Sequence, residues 1–442
     1  MLKVLKFGGS SLASGETFEK VKNIVEADNS RSIVIVSAPG KRHSKDMKVT
    51  DLLYLCQAHI KYNANFDHLF EEIKGRYQAI YDYCGLTQDL DSEFAQIKEK
   101  LNKKTSVDYI VSRGEYLNAK LMAEYLGYTF VDSTEWLYFN FNGKVDFEKS
   151  YAALSAIIEK TNRVVIPGFY GVTPDGNVKT FSRGGSDITG AIAAAAVNAD
   201  MYENWTDVSG IMTADPRIVD NPRPIENVTF AELRELSYMG AEVLHEETVF
   251  PVRQKNIPLY IKNTNDMNAR GTLIMEAFDD DLENKNAHFI TGISGKKNFS
   301  IITIAKNRMN EEIGYVRRAL EVFERFGIPI EHIPSSIDSF SVVVGSSHIE
   351  TNMHELISAL NNALQPDSVK IDNEISLIAI VGRKLQSNIG IAGKIFTALG
   401  ENDINIKMIE QGADEINIII GVDNANFKKT IRVLYNLSEV EE

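Results

Sequence analysis

Residues 3–11 read KVLKFGGSS, and residues 181–187 read FSRGGSD. Each places a pair of glycines at the boundary of a regular element. In the first stretch a short apolar run, residues 4–7, ends on Gly8 and Gly9, and a helical pattern follows over 17–25. Glycine lets the backbone turn tightly enough for successive N–H groups to face one anion, and Lys6 sets a positive charge just before that turn. In the second stretch, Gly184 and Gly185 open a helical run over 188–197. A helix N-terminus behind a glycine turn is a ready anion site. A simple capping role accounts for Ser186 or Asp187 but leaves Arg183 and both glycines without a task. The glycine spacing matches neither a Walker A loop nor a dinucleotide fingerprint.

Outward from these two turns, residues 205–217 read WTDVSGIMTADPR. Thr206 and Asp207 close an expected strand, residues 208–210 can turn, and Asp215-Pro216 begins another turn. Further strands are expected at 32–36, 107–111, 163–166 and 257–261, and helices at 17–25, 51–59, 115–125 and 188–197. Strands alternating with helices over this length point to an α/β layer fold.

Residues 279–286 are polar and aperiodic and read as a linker. Beyond them the chain repeats itself. Residues 322–333 match 395–409, and from Ile328 and Ile404 onward the offset is constant. Asp338, Phe340 and 342–345 match Asp414, Ile416 and 418–421. The helices before them carry apolar faces at Ile313, Val316, Leu320 and Phe323 and at Ile389, Ala392, Phe396 and Leu399. Each copy reads strand, helix, strand, strand, helix, and two copies side by side are expected to share one core.

Composition narrows the function. A chain of 442 residues needs two or three domains, and 44% hydrophobic with 24% charged residues is ordinary for globular proteins. The net charge of −14, with no long basic run, argues against nucleic acid or an anionic membrane as a partner. Two cysteines, Cys56 and Cys84, without a histidine cluster, supply neither a disulfide framework nor a zinc site. The N-terminus has no apolar run of the signal-peptide kind, so a cytoplasmic protein is expected.

Taken in order, KFGG, RGGSD and TDV-x-G…T-x-DPR resemble the amino-acid kinase family, and within it the aspartokinases. Val36-Ser37-Ala38, Thr50 and Gly114-Glu115 belong to the same resemblance, and the repeated tail is similar to paired ACT domains. The resemblance implies a three-layer α/β kinase domain with a mainly parallel central sheet over 1–282. Two ferredoxin-like ACT domains, 283–374 and 375–442, would follow. It implies ATP with Mg²⁺ as phosphoryl donor and L-aspartate as acceptor, opening the route to lysine, threonine and methionine.

The same resemblance distributes roles. Lys6, Phe7, Gly8, Gly9 and Ser10 would face the nucleotide phosphates, Asp187 would hold Lys6, and Thr206, Asp207, Met212 and Arg217 would complete the ATP site. Ser37, Thr50, Glu115, Phe169, Arg183 and Ser186 would surround aspartate. No residue is assigned as a metal ligand. Met212 stands where many members carry Tyr, and Glu242 where many carry Lys, so Glu242 receives no ATP role. His245 is read as structural, and no fused dehydrogenase is expected after the repeats.

The chemistry agrees. An aspartate side chain, with a reference pKa of about 3.9, is already a nucleophile at neutral pH, so no histidine or cysteine base is needed. The remaining difficulty is bringing one anion to another, which calls for positioning and charge neutralisation. An amino-acid effector, lysine ahead of threonine, is expected between the turn 307–314 and the strand 328–336. Glu331, Ser335, Ser336 and Asp338 would line that pocket in a homodimer or higher oligomer. Rivals are a kinase for glutamate, acetylglutamate, carbamate or a nucleotide, and a sensor without catalysis.

Overall fold

The structure, a computed structural model, describes residues 1–182, 184–241, 244, 246–278, 288–385, 388–412 and 416–439, with the backbone alone at 246 and 247. The expected linker 279–286, the repeat position Asp414 and the residues Arg183, Glu242 and His245 lie outside the described residues. Two compact units form. The first contains Met1–Ile211, Pro224–Phe230 and Val243–Phe278, and the second contains Met212–Arg223, Ala231–Glu242 and Asp279–Glu442.

In chain order the first unit begins with β1 (Lys3–Phe7), α1 (Gly15–Glu26), β2 (Arg31–Val36), α2 (Val49–Lys61), α3 (Asp67–Cys84) and α4 (Leu90–Lys100). It continues through α5 (Val107–Leu126), β3 (Thr129–Phe130), α6 (Phe147–Ile158), β4 (Val164–Pro167), β5 (Tyr170–Val172) and β6 (Val178–Thr180). Next come α7 (Gly185–Ala196), β7 (Met201–Thr206) and β8 (Asn227–Thr229), then α8 (Phe230–Tyr238), which is mostly part of the second unit. The first unit closes with α9 (Glu246–Gln254), β9 (Leu259–Asn263) and β10 (Thr272–Met275).

The sheet order is β3-β4-β2-β1-β7-β9-β10-β8. The run from β3 to β9 is parallel, and β10 pairs antiparallel with β9. Every residue of β2 and β4 is buried, as parallel strands covered on both faces require. Helices α1, α2, α3 and α5 share one apolar cluster against this sheet.

The structure corrects the expected strand at 107–111, which is the first part of helix α5. Ser106 caps that helix by accepting the N–H of Tyr109. The buried positions Ile110, Val111, Gly114, Leu117 and Leu121 then recur at helical spacing. A short β-branched run does not by itself separate strand from buried helix.

The second unit is built on β11 (Gly292–Ala305), α10 (Tyr315–Arg325), β12 (Ser339–Gly345), α11 (Met353–Leu364) and β13 (Ser368–Val381). It ends with α12 (Ile391–Glu401), β14 (Ile406–Gln411), β15 (Asn417–Asp423) and α13 (Phe427–Glu439). One antiparallel sheet, β12-β11-β13-β15-β14, runs through both repeats. It is continuous because the long strands β11 and β13 pair from Gly292↔Val381 to Ala305↔Ser368. Helices α10 and α12 begin at matched positions, each behind a left-handed glycine, Gly314 (φ 77°) and Gly390 (φ 91°).

The expected shared core is corrected to two. One cluster gathers α10 and α11 with Ile302, Phe340 and Val342, and the other gathers α12 and α13 with Ile378, Ile418 and Ile420. What the repeats share is the sheet. The expected strand 328–336 is also reduced to two isolated bridges, His332↔Val343 and Ser335↔Phe340. Pro329 and Pro334 remove backbone donors there, whereas the matching segment of the second repeat has no proline and forms β14.

Segments from the middle of the chain complete this unit. Ala214, Ile218 and Val219 join the second repeat's core. Glu232 of α8, its side chain fully buried, accepts from Thr291 Oγ1 at 2.7 Å and from Arg383 Nη1 at 2.8 Å.

Candidate active site

Register brings the site together. Phe7 pairs with Val36 on one side and Trp205 on the other, and Val36 pairs with Pro167. The residues that follow these strand ends therefore lie along one edge of the sheet, the carboxyl edge where open α/β sheets bind ligands. Three bonds lock the edge: Gly8 N–H to Trp205 O (3.1 Å), Ser37 N–H to Phe7 O (3.2 Å) and Gly168 N–H to Val36 O (2.9 Å).

Lys6 is only 7% exposed, and its Nζ lies 2.7 Å from Asp187 Oδ1. Asn204, the register partner of Lys6 on β7, donates Nδ2–H to the same oxygen at 2.8 Å. Tyr202 donates its hydroxyl hydrogen to the Asp187 carbonyl at 3.1 Å. The structure thus joins the KFGG and RGGSD turns through one carboxylate. A lysine held this way is oriented in advance, as a site for developing negative charge requires.

The glycines permit close approach. A Cβ on Gly40 would sit 2.6 Å from Gly9 C, and one on Gly168 would sit 2.7 Å from Ser186 Cβ and Oγ. A Cβ on Gly185 would meet Phe169 Cδ2 at 2.6 Å. Phe169 itself adopts a left-handed φ of 79°, with its N–H bonded to Thr189 Oγ1 at 3.1 Å. That backbone is costly for a bulky residue and is held by the first turn of α7 beneath it. Phe169 and Ser186 are accordingly in contact range of one another's loops.

Glu115, on α5, is 5% exposed and accepts a backbone N–H from Ala38, beside Ser37. Its Oε2 has no hydrogen-bond partner, and burial pushes its pKa up to about 8. A buried carboxyl with an unpartnered oxygen is suited to receiving a ligand's ammonium group. Asn118, one helical turn on, donates to Ser37 O at 2.7 Å. Thr50 lies half-buried in the first turn of α2.

At the end of β7, Thr206 is half-buried and donates its hydroxyl to the exposed Asp207 at 3.2 Å. Met212 and Arg217 fall in the second compact unit, where Arg217 is held by Asp215 at 2.9 Å. Sequence reasoning missed Tyr202, Asn204, Asn118 and the buried cluster of Asp46 and Arg76. Asn204 carried a weak signal, as one of two adjacent polar residues, with Glu203, inside a buried strand that ends at Thr206.

The family model of the Amino acid kinase family matches residues 1–263, and an ACT domain model matches residues 378–437. Aspartokinase 3 of Bacillus subtilis is 37% identical over 98% of this chain and 98% of its own length. The chain belongs to the aspartokinase family. The crystal structure of Clostridium acetobutylicum aspartate kinase is 45% identical and covers 99% of both chains with a TM-score of 0.89. Escherichia coli aspartokinase III, solved with aspartate and ADP, is 24% identical over 99% of both chains with a TM-score of 0.75, a likeness of fold.

In this aspartokinase the residues expected to bind an effector lie on the first repeat. Glu331 donates its N–H to Val343 O at 2.9 Å and accepts the Tyr238 hydroxyl on Oε2. Asp338 is occupied by the loop before α10, its Oδ1 accepting the Arg308 N–H at 2.8 Å. Ser335 and Ser336 are exposed at the turn before β12. Among the described residues no helix is long and apolar enough to cross a membrane. Among them too, no three His, Cys, Asp or Glu side chains gather as metal ligands.

Proposed function

We propose that this aspartokinase transfers the γ-phosphoryl group of ATP to the β-carboxylate of L-aspartate, giving 4-phospho-L-aspartate and ADP. The observation that carries the reading is the Lys6–Asp187–Asn204 arrangement between the two glycine turns. Mg²⁺ would enter with ATP as part of the substrate and would supply charge neutralisation at the phosphates. A β-carboxylate oxygen bonds to the γ-phosphorus as the bond to the bridging oxygen breaks, and ADP leaves with that electron pair. No proton moves in this step, so no histidine or cysteine base is needed.

Lys6, with the N–H groups of the turn at Gly9 and Ser10, neutralises charge between the two anions, while Gly8, its own N–H bonded to Trp205 O, shapes the turn. Glu115 takes the α-ammonium, and Arg183 takes the α-carboxylate with Ser186 and Thr50 nearby in role. Ser37 and Phe169 line the aspartate side, and Phe7, Thr206, Asp207, Met212 and Arg217 the nucleotide side. Catalysis is assigned to residues 1–282, and regulation to 283–374 and 375–442.

Lysine is the effector we propose, ahead of threonine. In support, the hydrogen-bond partner of Glu331 Oε2 is the Tyr238 phenol, a neutral group that a cationic ligand could join or replace. The protein acts as a cytoplasmic homodimer or larger oligomer in this reading, opening the route to lysine, threonine and methionine.

The test is acyl-phosphate formation trapped as the hydroxamate with ATP, Mg²⁺ and either L-aspartate or L-glutamate. Aspartate is expected to react and glutamate to be far poorer, because one methylene moves the attacking oxygen out of line. Equal rates with both amino acids would sink the assignment.

A further inference from the structure

The loop 40–48 is closed at its neck by the Val49 N–H bonding to Pro39 O at 3.1 Å. Compact loops with joined ends are frequently functional. Its residues Lys41, Arg42, His43, Lys45 and Lys48 are exposed and basic, in a chain of net charge −14.

Arg76, on α3, fills this loop from inside and is 3% exposed. Its Nη2 donates to Gly40 O at 2.5 Å, and its Nη1 donates to Met47 O at 3.0 Å and lies 3.1 Å from Asp46 Oδ2. Asp46, 8% exposed, also accepts Nε–H and the backbone N–H of Arg42, each at 2.9 Å. Gly40 in turn donates its N–H to Gly9 O at 2.7 Å. One residue therefore relays Arg76 to the glycine turn. The next residue of α3, Tyr77, donates its buried hydroxyl to Gly114 O at 2.7 Å, directly before Glu115. Replacing a buried ion pair by apolar groups is often neutral or stabilising, so stability alone is a weak reason for Arg76 and Asp46.

We infer that Arg76 is a positioning residue for the phosphoryl donor: it holds loop 40–48 closed and, through Gly40, sets the Gly8-Gly9-Ser10 turn. The inference rests on the nucleotide-side reading of that turn given above. Tyr77 performs the corresponding task for the aspartate side through Gly114, so neighbouring residues of one helix serve different substrates.

The experiment measures KM for ATP and for aspartate, ADP binding by calorimetry, and melting temperature, in the full chain and in Arg76→Met, Arg76→Lys, Asp46→Asn and Tyr77→Phe. Arg76→Met is expected to weaken ADP binding and raise KM for ATP by roughly 10- to 100-fold while KM for aspartate moves little. Arg76→Lys recovers part of the loss, and Asp46→Asn shifts the same constants without adding to Arg76→Met. Tyr77→Phe shifts KM for aspartate instead. Should Arg76→Met fail to fold, Arg76→Lys and Asp46→Asn carry the test. ADP binding indifferent to these changes, or both KM values rising together, overturns the inference. A wild-type protein that binds ADP but does not phosphorylate aspartate, with ADP binding weakened by Arg76→Met, removes the substrate assignment and supports this one.

Discussion

Tyr238 donates its hydroxyl hydrogen to Glu331 Oε2 at 2.5 Å, joining residues 93 positions apart. Tyr238 ends α8, and the same helix sends Glu232 to Thr291 and Arg383 and Glu235 to Asn417. Its chain neighbour on the N-terminal side is β8, a strand of the first unit's sheet. A helix that lies mostly in the second unit is thus continuous in sequence with a strand of the first, and its last side chain touches the proposed effector carboxylate.

Burial, with the Glu331 carboxylate adding to it, pushes the Tyr238 phenol up to about 12, so it remains a donor through the physiological range. Glu331→Ala is expected to weaken lysine binding by about tenfold or more, the scale of one lost charged hydrogen bond. Tyr238→Phe is expected to change chiefly the coupling between lysine and aspartate, typically ~1–3 kcal/mol in allosteric systems. Calorimetric titration of lysine with and without aspartate reads both. Lysine binding unaltered in Glu331→Ala moves the effector site elsewhere.

Glu115 gives a pH signature. Its pKa of about 8 means the empty site holds a protonated carboxyl at neutral pH, whereas an ammonium ligand selects the carboxylate. kcat/KM for aspartate should therefore rise as pH increases through about 8. In Glu115→Gln that rise should be absent. The stability consequence has the opposite sense. A folded pKa raised above the unfolded one contributes stability present below the unfolded value and lost as pH rises through the folded value. Glu115→Gln should melt close to wild type at low pH and above it at alkaline pH, where each kcal/mol is worth roughly 2–4 °C.

Lys6 and its two supports should separate by degree. Lys6→Ala is expected to lower kcat by on the order of 100-fold or more, with a smaller effect on KM. Asn204→Ala leaves the ion pair but removes one bond orienting Asp187, and should cost less than Lys6→Ala. Single-turnover rates at saturating substrates make the comparison. An Asn204→Ala enzyme as slow as Lys6→Ala would contradict a supporting role.

Steric contact at the aspartate side gives a fourth test. Gly168→Ala would place its Cβ 2.7 Å from Ser186 Cβ and Oγ, so the loop or the start of α7 must shift. Overpacking of this kind costs roughly 1–3 kcal/mol, and KM for aspartate should rise with it. Gly75→Ala, on α3, meets nothing within 4 Å and serves as the control. Equal KM values in both variants would show that the 168–186 contact does not shape the site.

The residues most legible in the sequence were those whose chemistry is local. A glycine pair after an apolar run, or before a helical one, announces a turn through backbone freedom alone, and KFGG and RGGSD were read that way. The repeat was legible because two copies in one chain compare themselves, and Gly314 and Gly390 do begin matched helices. Local reading failed where two states share a pattern, as at 107–111. It failed too where prolines interrupt one, as at 328–336.

By itself the sequence determined which chemical groups are present, their order, and the turns and helices that short-range sterics and periodicity dictate. Tertiary structure alone decided what depends on long-range burial and register. Lys6 meets Asn204 because β1 and β7 are parallel neighbours, and Arg76 reaches Gly40 from a helix that carries none of the family motifs. Residues 212–223 and 231–241 join the second unit although their sequence neighbours build the first. The pKa of Glu115 likewise comes from the elements packed around it rather than from the residues beside it in the chain. Those outcomes follow from which surfaces exclude water together, and no local window of the chain contains that information.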